Sequence, residues 1–555
     1  MNFKPQFPFF TARPEQVYLD SAASTQRLGA VLKASESYYV NYNASVHRSA
    51  YEIANEATQA YECSRTALQQ LINASSPSEI VFTSGATESL NLIAQGLHAN
   101  MLSGRKILIM TSEHHANILP WQMLASRLGL EIETLPLGSE GQFDKREFQA
   151  LCSKLTQDVA LLAIAHVSNA LGNIYPLESI LKIAQQHNIL SVIDGTQALA
   201  HVPVDVQKLD CDFYVASAHK MYGPTGIGML FGKHDNLLAL LPSKLGGEML
   251  SDASFDSFEC APPPLKFEAG TPNISGVIGF ATAAHFVHQH LAEIQVHENT
   301  LKAFLLSSLL DISDIKVWGN NAHPETRDNS IATVSISFQQ LNVNDVAQYL
   351  FQSNIAVRIG HHCAMPLMKV LGIGGTLRIS LGCYTSKEEI SFFIKHLQAA
   401  ISALKQDMSS SISKDSEIIE SREGIHSTSL ALPIASKIAA SKGWDNQYRQ
   451  LLLASKKLNT LAVEARTEAT LLKGCESDVW MANISGELQG YSESKVIRGI
   501  LALLLEKANS LGQEASSFDY STYLEALHLT QYFSQGRRDG VGHVIERIKR
   551  LLKTA

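Results

Sequence analysis

Between about residue 30 and residue 235, short and nearly unbroken apolar runs alternate with stretches of helical spacing. The runs are Lys106-Ile-Leu-Ile-Met110, Val159-Ala-Leu-Leu-Ala-Ile-Ala-His166, Ile189-Leu-Ser-Val-Ile-Asp194 and Phe213-Tyr-Val-Ala216, with a shorter one at Glu79-Ile-Val-Phe-Thr83. A strand with one wet face alternates polar and apolar residues; these do not, so both faces must be covered. Helices between such strands predict a mostly parallel sheet with helices on both sides, an α/β fold. Residues 51–73 carry apolar positions at helical spacing, and the Thr83 run leads into Ser84-Gly85-Ala86-Thr87-Glu88, which reads as a helix start. Ligands of such sheets bind beyond the carboxyl ends of the strands. Asp194, Lys220 and the Thr87 turn all fall at such ends.

The pattern changes after about residue 275. A long helix over residues 277–310 precedes strands at 330–337 and 376–380 and an amphipathic helix over 387–405, which reads as a smaller α+β domain. Residues 406–431 are rich in serine and charge and poor in aromatics, the composition of a flexible linker. From 432 to 555 a third unit shows a helix over 444–458, a hairpin around Ser485-Gly486 and helices at 495–510 and 540–553. The expected organisation is therefore 1–405 as one catalytic region, 406–431 as linker and 432–555 as a separate α+β domain. Within the first, a large domain spans about 25–275 and a small domain about 276–405 together with the N-terminal segment. A length of 555 residues suits three or four domain-sized units.

A formal charge of −8 argues against a general nucleic-acid binder. No apolar run reaches the length of a membrane span, and the first residues lack the core of a signal peptide. Seven widely spaced cysteines with no Cys-x-x-Cys pair speak against a disulfide framework or a structural zinc site, and fit reduced thiols in a cytoplasmic protein.

Chemistry concentrates at Ser217-Ala-His219-Lys220-Met-Tyr-Gly223-Pro-Thr-Gly226-Ile-Gly228. A lysine at a buried strand end loses its proton easily, and its free amine attacks carbonyls. The glycines after it would let the backbone pass close to a ligand. A pyridoxal phosphate site needs such a lysine, an acid for the ring nitrogen, a flat group for the ring face and donors for the phosphate. Asp194 is the candidate acid, although an aspartate there could also cap the next helix. Gln197 is close enough along the chain to reach the ring hydroxyl. The Ala86-Thr87 turn, Ser217 and His219 are candidate phosphate donors. An imidazole of Glu113-His114-His115-Ala-Asn117 could stack on the ring. Adjacent histidines rarely share a metal ion, and no third ligand is evident, so no metal is expected.

Six motifs stand in family order over about 400 residues: Ser-Gly85-Ala-Thr87-Glu, Glu-His114-His-Ala-Asn, His-Val-Ser-Asn169-Ala-Leu-Gly, Asp194-Gly-Thr-Gln197, Ser217-Ala-His219-Lys220 and Gly270-Thr271-Pro. With them the chain resembles the class V, fold-type I pyridoxal phosphate enzymes, and among these the cysteine desulfurases. The resemblance implies that Lys220 holds the cofactor aldehyde as a Schiff base and later moves protons. It pairs Asp194 with the pyridinium nitrogen, Gln197 with the ring oxygen and His114 with the ring face. It gives the phosphate to Ala86, Thr87, Ser217 and His219, with Thr271 reaching across a homodimer interface. Asn169, Arg358 and Arg378 would hold the substrate, Arg378 as a bidentate fork on its carboxylate.

In Val357-Arg358-Ile-Gly-His361-His362-Cys363-Ala-Met-Pro, a cysteine beside an arginine and two histidines could be held as a nucleophilic thiolate. This stretch resembles the group II, Suf-type desulfurases, which hand their sulfur to a partner protein. Leu472-Lys-Gly474-Cys475-Glu-Ser477-Asp-Val479-Trp480 resembles the sulfur-acceptor motif of SufE-like proteins, a likeness that extends over about 120 residues and includes Trp444 and Arg537. The implied activity is conversion of L-cysteine to L-alanine, with a persulfide formed on Cys363 and passed to Cys475 for an iron–sulfur scaffold or another acceptor. A selenocysteine lyase, or a class V aminotransferase with a docking module, is the alternative; an aminotransferase would have no need of Cys363.

Overall fold

A computed structural model of the chain describes residues 3–415, 432–441, 450–472, 477–527, 529 and 535–553. They form two compact units, residues 1–339 with 353–396, and residues 340–352 with 397–555.

The first unit is built on a seven-stranded sheet. From edge to edge its strands are Ile80–Thr83, Gly228–Gly232, Phe213–Ser217, Leu190–Asp194, Val159–Ala165, Lys106–Met110 and Glu131–Leu135. All neighbours run parallel except Gly228–Gly232, which is antiparallel to both of its partners. Every residue of Val159–Ala165 and Phe213–Ser217 is buried, as expected of strands covered on both faces. The expected elements are present: Glu52–Leu71 and Ala86–Gly96 are helices, and the 37-residue helix Ile274–Leu310 packs against the sheet layer.

Two strands of this sheet depart from the sequence reading. Glu131–Leu135 is an edge strand whose half-wet pattern of Glu, Ile, Glu, Thr and Leu hides it from a search for apolar runs. Gly228–Gly232 starts where the glycines were expected to skirt a ligand. Instead the bare Gly228 faces backbone: a Cβ there would stand 2.5 Å from the Gly85 Cα and 2.5 Å from the Ala216 oxygen. The glycine lets two chain segments touch.

A second, antiparallel sheet runs Ile315–Trp318, Thr333–Phe338, Thr376–Ser380, Arg358–Gly360. The N-terminal segment is stitched to it. Val17–Tyr18 pairs with Ile355–Ala356, and Asp20 bridges to Ser380. This brings residues 20–25 to the carboxyl ends of the large sheet, where Thr25 N donates to the His219 carbonyl.

The second unit contains the expected hairpin, Val479–Ile484 with Glu487–Ser492, joined by Leu471–Leu472 as a third strand. Ser485 and Gly486 both have positive φ, 53° and 91°, the requirement of a two-residue primed turn. Helices Lys495–Leu511 and Gln535–Lys553 complete its core. Two boundaries differ from expectation. Helix Lys387–Asp415 continues through the first ten residues assigned to the linker, while residues 416–431 lie outside the described residues. Helix Val343–Gln352, expected in the small domain, clusters with the second unit, where the Asp345 carboxylate accepts the Lys495 amide at 3.0 and 3.1 Å. Among the described residues no helix is long and apolar enough to cross a membrane.

Candidate active site

Lys220 closes a 3-10 turn directly after strand Phe213–Ser217, so the strand delivers it to the carboxyl end of the sheet. Its amine donates to the Ala22 carbonyl. Burial, reinforced by the positive charges of Arg378 and Arg358, pulls its pKa down to about 7. Much of this amine is therefore neutral near pH 7.

A cradle for an anion lies beside it. Helix Ala86–Gly96 begins after Gly85, which has φ +154°, and its first-turn amides have no intrahelical acceptors. Ala86 N donates to Ser217 Oγ at 2.8 Å, which ties the turn to the lysine strand. The Thr87 side chain is exposed at this helix start. Burial lowers the His219 pKa to about 4, so its ring is neutral. Ser24 Oγ accepts from Arg27 at 3.2 Å and lies 3.3 Å from His219 Nδ1 and 3.5 Å from the His219 carbonyl; giving its proton to Nδ1 is the shorter of the two options. His219 Nε2 can then donate.

Asp194 ends strand Leu190–Asp194 with its side chain buried, and one oxygen accepts the Thr196 amide at 3.0 Å. The next residue must be glycine, because a Cβ at Gly195 would stand 1.9 Å from the Tyr214 ring. Gln197 Nε2 donates to the Ala22 carbonyl at 2.9 Å, the acceptor that also holds Lys220. His114 caps the short turn His115–Asn117. Burial lowers its pKa against the opposing pull of Asp194, leaving a neutral ring with Asp194 and Lys220 in its field. His115 turns elsewhere. Its Nε2 accepts the Met365 amide at 3.2 Å and its ring lies 5.8 Å from that of His361. Of the two imidazoles, His114 is the one left for a planar ligand.

Cys363 sits in the loop between strand Arg358–Gly360 and helix Met365–Leu371. His362 and Cys363 both adopt left-handed backbone, φ 53° and 56°, a strained arrangement for two successive non-glycine residues. The bonds that hold it include Cys363 N to His361 Nδ1 at 3.1 Å, His115 N to the Cys363 carbonyl at 2.8 Å, Asn169 Nδ2 to the His362 carbonyl at 2.8 Å, and His362 Nε2 with Thr376 Oγ1 at 2.8 Å. The thiol itself is half-exposed. A fixed loop thus presents a reachable sulfur.

Arg378 is buried, with Nη1 on the Asn169 carbonyl at 3.0 Å and Nη2 on Asp20 Oδ1 at 3.0 Å, while its buried Nε has no partner. The fork expected for a substrate carboxylate is thus held by Asp20 and Asn169. Arg358 lies opposite Arg378 in the ladder with an exposed guanidinium. Hydrogen bonds run from Asp20 through Arg378 and Asn169 to the Cys363 loop, so the substrate candidates form one connected cluster.

Thr271 stands apart from this cluster. It is exposed, and among the described residues no hydrogen bond joins it to the other candidates. Its segment is anchored by Glu268, which accepts from Arg65 at 2.7 and 2.9 Å, from Tyr61 at 2.9 Å and from the Phe82 amide at 2.7 Å. Cys475 and Trp444 lie outside the described residues, as does the Arg537 side chain. Sequence reasoning missed Asp20, Ala22 and Ser24. They act on His219, Lys220 and Arg378, 195 to 358 residues away, Ala22 through its backbone carbonyl, and only the Leu19-Asp20-Ser-Ala-Ala-Ser24 run of small residues hints at a tight path. Among the described residues no group of three His, Cys, Asp or Glu side chains could hold a metal ion.

Comparison with known proteins agrees with this geometry. The aminotransferase class-V family matches residues 17–393, and the SufE family, an Fe-S metabolism associated domain, matches residues 433–552. A probable cysteine desulfurase of Vibrio cholerae is 41% identical over 391 residues, covering 70% of this chain and 94% of that protein. A cysteine desulfurase of Cronobacter sakazakii is 40% identical over 383 residues, 68% of this chain and 92% of that one. Among solved structures, the apo cysteine desulfurase of Thermococcus onnurineus NA1 superposes with a TM-score of 0.68 at 36% identity, over 72% of this chain and 97% of that one. The cysteine desulfurase CsdA of Escherichia coli, in an S-sulfonic acid form, gives 0.65 at 34% identity, over 72% and 98%. The chain belongs to the class-V aminotransferase family, among the cysteine desulfurases, and carries a SufE-family domain after that region.

Proposed function

We propose that this protein converts L-cysteine to L-alanine with pyridoxal phosphate, collects the sulfur as a persulfide on Cys363, and passes it to Cys475 of its own SufE-family domain for iron–sulfur cluster assembly. The observation that carries the reading is that residues 20–22 hold both an amine tuned to about 7, on the Ala22 carbonyl, and Arg378, on Asp20, whose bonds run on through Asn169 to the loop of the half-exposed Cys363.

The residues fit pyridoxal phosphate. Lys220 is a neutral-leaning amine, the Ala86-Thr87 turn with Ser217 and His219 offers donors to a phosphate, and Asp194 is a buried acid at the strand end. The cofactor would supply an electron sink that labilises the substrate's Cα proton. Lys220 would hold its aldehyde and move the proton at the substrate Cα; Asp194 would serve the ring nitrogen, Gln197 the ring oxygen and the neutral His114 the ring face. Arg358, with Arg378 once its Asp20 contact is exchanged, receives the substrate carboxylate, and Asn169 fixes the near edge. The Cys363 sulfur attacks the substrate sulfur. A sulfur–sulfur bond forms as the substrate Cβ–S bond breaks, and the carbon fragment is protonated to alanine. Cysteine plus thiol gives alanine plus persulfide, with no outside oxidant. The Cys475 thiolate then attacks the terminal sulfur and releases Cys363 as thiolate.

Only His361 to Ala364 separate the strand from the next helix, a short catalytic loop that supports the group II subtype and its reliance on an acceptor domain. The exposed Thr271 supports a homodimer in which it completes the partner's phosphate site. The test is one incubation with cysteine followed by peptide mass mapping. Added sulfur is expected at Cys363 and Cys475 and at none of the other five cysteines, and Cys475→Ser should stop sustained transfer after one or a few turnovers. Full sustained transfer by that variant would refute the relay.

A further inference from the structure

The turn that carries His114 is fastened by a residue with no part in the scheme above. Strand Lys106–Met110 runs beside Val159–Ala165 as far as Ile109 and Ala163, and then the two diverge. Past that point the Ala165 amide donates to a side chain, Glu113 Oε1, at 2.8 Å. The other Glu113 oxygen accepts Asn117 Nδ2 at 2.7 Å, and Asn117 Oδ1 accepts Trp121 Nε1 at 2.9 Å. All three side chains are fully buried. Their spacing of four residues brackets the His115–Asn117 turn from both sides.

The placement of this clamp matters. Ala165 is the register partner of Asp194. A continuous set of short links therefore runs from Asp194 across the ladder to Ala165, through the Glu113 carboxyl, to the adjacent His114. The same turn grips the thiol loop through the His115 bonds to the Cys363 carbonyl and the Met365 amide. Burial lifts the Glu113 carboxyl to about 8, against the two N–H donors that favour its ionised form. A buried acid kept at that cost is being used for its acceptors.

We propose that Glu113 is a positioning residue whose carboxyl, clamped between the Ala165 amide and the Asn117 side chain, fixes the separation of the His114 imidazole and Asp194 about the cofactor ring. This rests on the pyridoxal phosphate reading above.

Hydrogen-bond polarity provides the test. In Glu113→Gln the new amide oxygen still accepts Ala165 N–H, but the new NH2 group faces Asn117 Nδ2, donor against donor. Adding Asn117→Asp restores an acceptor there and keeps one for Trp121. Each protein is loaded with pyridoxal phosphate, and the visible circular dichroism of the bound cofactor is read together with kcat and KM. Because an ångström of misplacement costs roughly a hundredfold, Glu113→Gln is expected to lose most of the visible band and about tenfold or more in kcat, with KM little changed. The double variant is expected to recover both. An unchanged band and kcat in the single variant, or no recovery in a folded double variant, overturns the proposal. If Glu113→Gln does not fold, Trp121→Phe, which frees Asn117 by removing its outer donor, must weaken the band, and an unchanged band there overturns it as well. Failure of the unsubstituted protein to bind pyridoxal phosphate would remove the underlying reading and the proposal together. A normally loaded parent with an indifferent Glu113→Gln removes the proposal alone.

Discussion

Lys220 keeps its reactivity at the expense of stability. Its pKa falls from 10.5 to about 7 because a buried ammonium is poorly solvated and faces two arginines. Between those values the unfolded chain holds a proton that the folded chain lacks, so folding stability rises with pH through that window, and the full penalty applies below about pH 7. In the cofactor-free protein Lys220→Met should therefore be more stable than the parent at pH 6, by about 3 kcal/mol once the lost Ala22 bond is set against the relieved charge. The gain should shrink toward zero near pH 10, and urea unfolding at both pH values measures it. A variant no more stable at pH 6 would contradict the depressed pKa. Labelling provides a second measurement. Pyridoxal phosphate with borohydride at pH 7 should modify Lys220 ahead of all other lysines. Lys302 is also lowered, to about 8, yet its amine is buried against the Ser330 and Arg327 carbonyls and should not react.

Turns and strands carry the site, so small backbone changes should reach it. Gly228→Ala would push a methyl group against the Gly85 Cα and displace the turn from Ser217. The expected loss is about 1–3 kcal/mol of stability by overpacking, together with weaker pyridoxal phosphate binding, measurable by equilibrium titration. Glu268→Ala would leave the buried Arg65 guanidinium only the Glu62 carboxylate and the Ile80 carbonyl, and would orphan the Phe82 amide and the Tyr61 hydroxyl, at a cost of about 2–4 kcal/mol in chemical denaturation. The contrast between these elements also explains what the sequence discloses. Lys106–Met110, Val159–Ala165 and Phe213–Ser217 are legible because burial on both faces leaves only apolar residues to read. Glu131–Leu135 is not, because an edge strand keeps glutamate and threonine at its wet positions. Lys220, Asp194 and Cys363 are legible because their motifs are local. Asp20 and Ala22 are not, because they reach Arg378 and Lys220 only after the chain has folded back across the sheet ends. Glu113 stood in plain view inside its motif, but its partner is a backbone amide fifty-two residues away.

At the scale of the whole chain, the proposed relay requires two thiols to meet, and covalent connection sets the terms. Helix Lys387–Asp415 consumes ten of the twenty-six residues expected to join the catalytic region to the SufE-family domain, leaving residues 416–431. Sixteen residues span at most about 55 Å whatever their conformation. A tether of this order raises the local concentration of Cys475 at Cys363 to about the millimolar range. Transfer within a chain, or within a dimer, should then proceed at a rate independent of protein concentration between roughly 0.1 and 10 µM, where free partners would slow on dilution. The check is a chain with a protease site introduced in 416–431. Before cleavage, labelled sulfur from cysteine should appear on Cys475 with one first-order rate at every dilution. After cleavage that rate should fall in proportion to concentration. If the cut protein transfers as fast as the intact one at the lowest concentration, affinity between the folded parts carries the relay and the connecting segment does not.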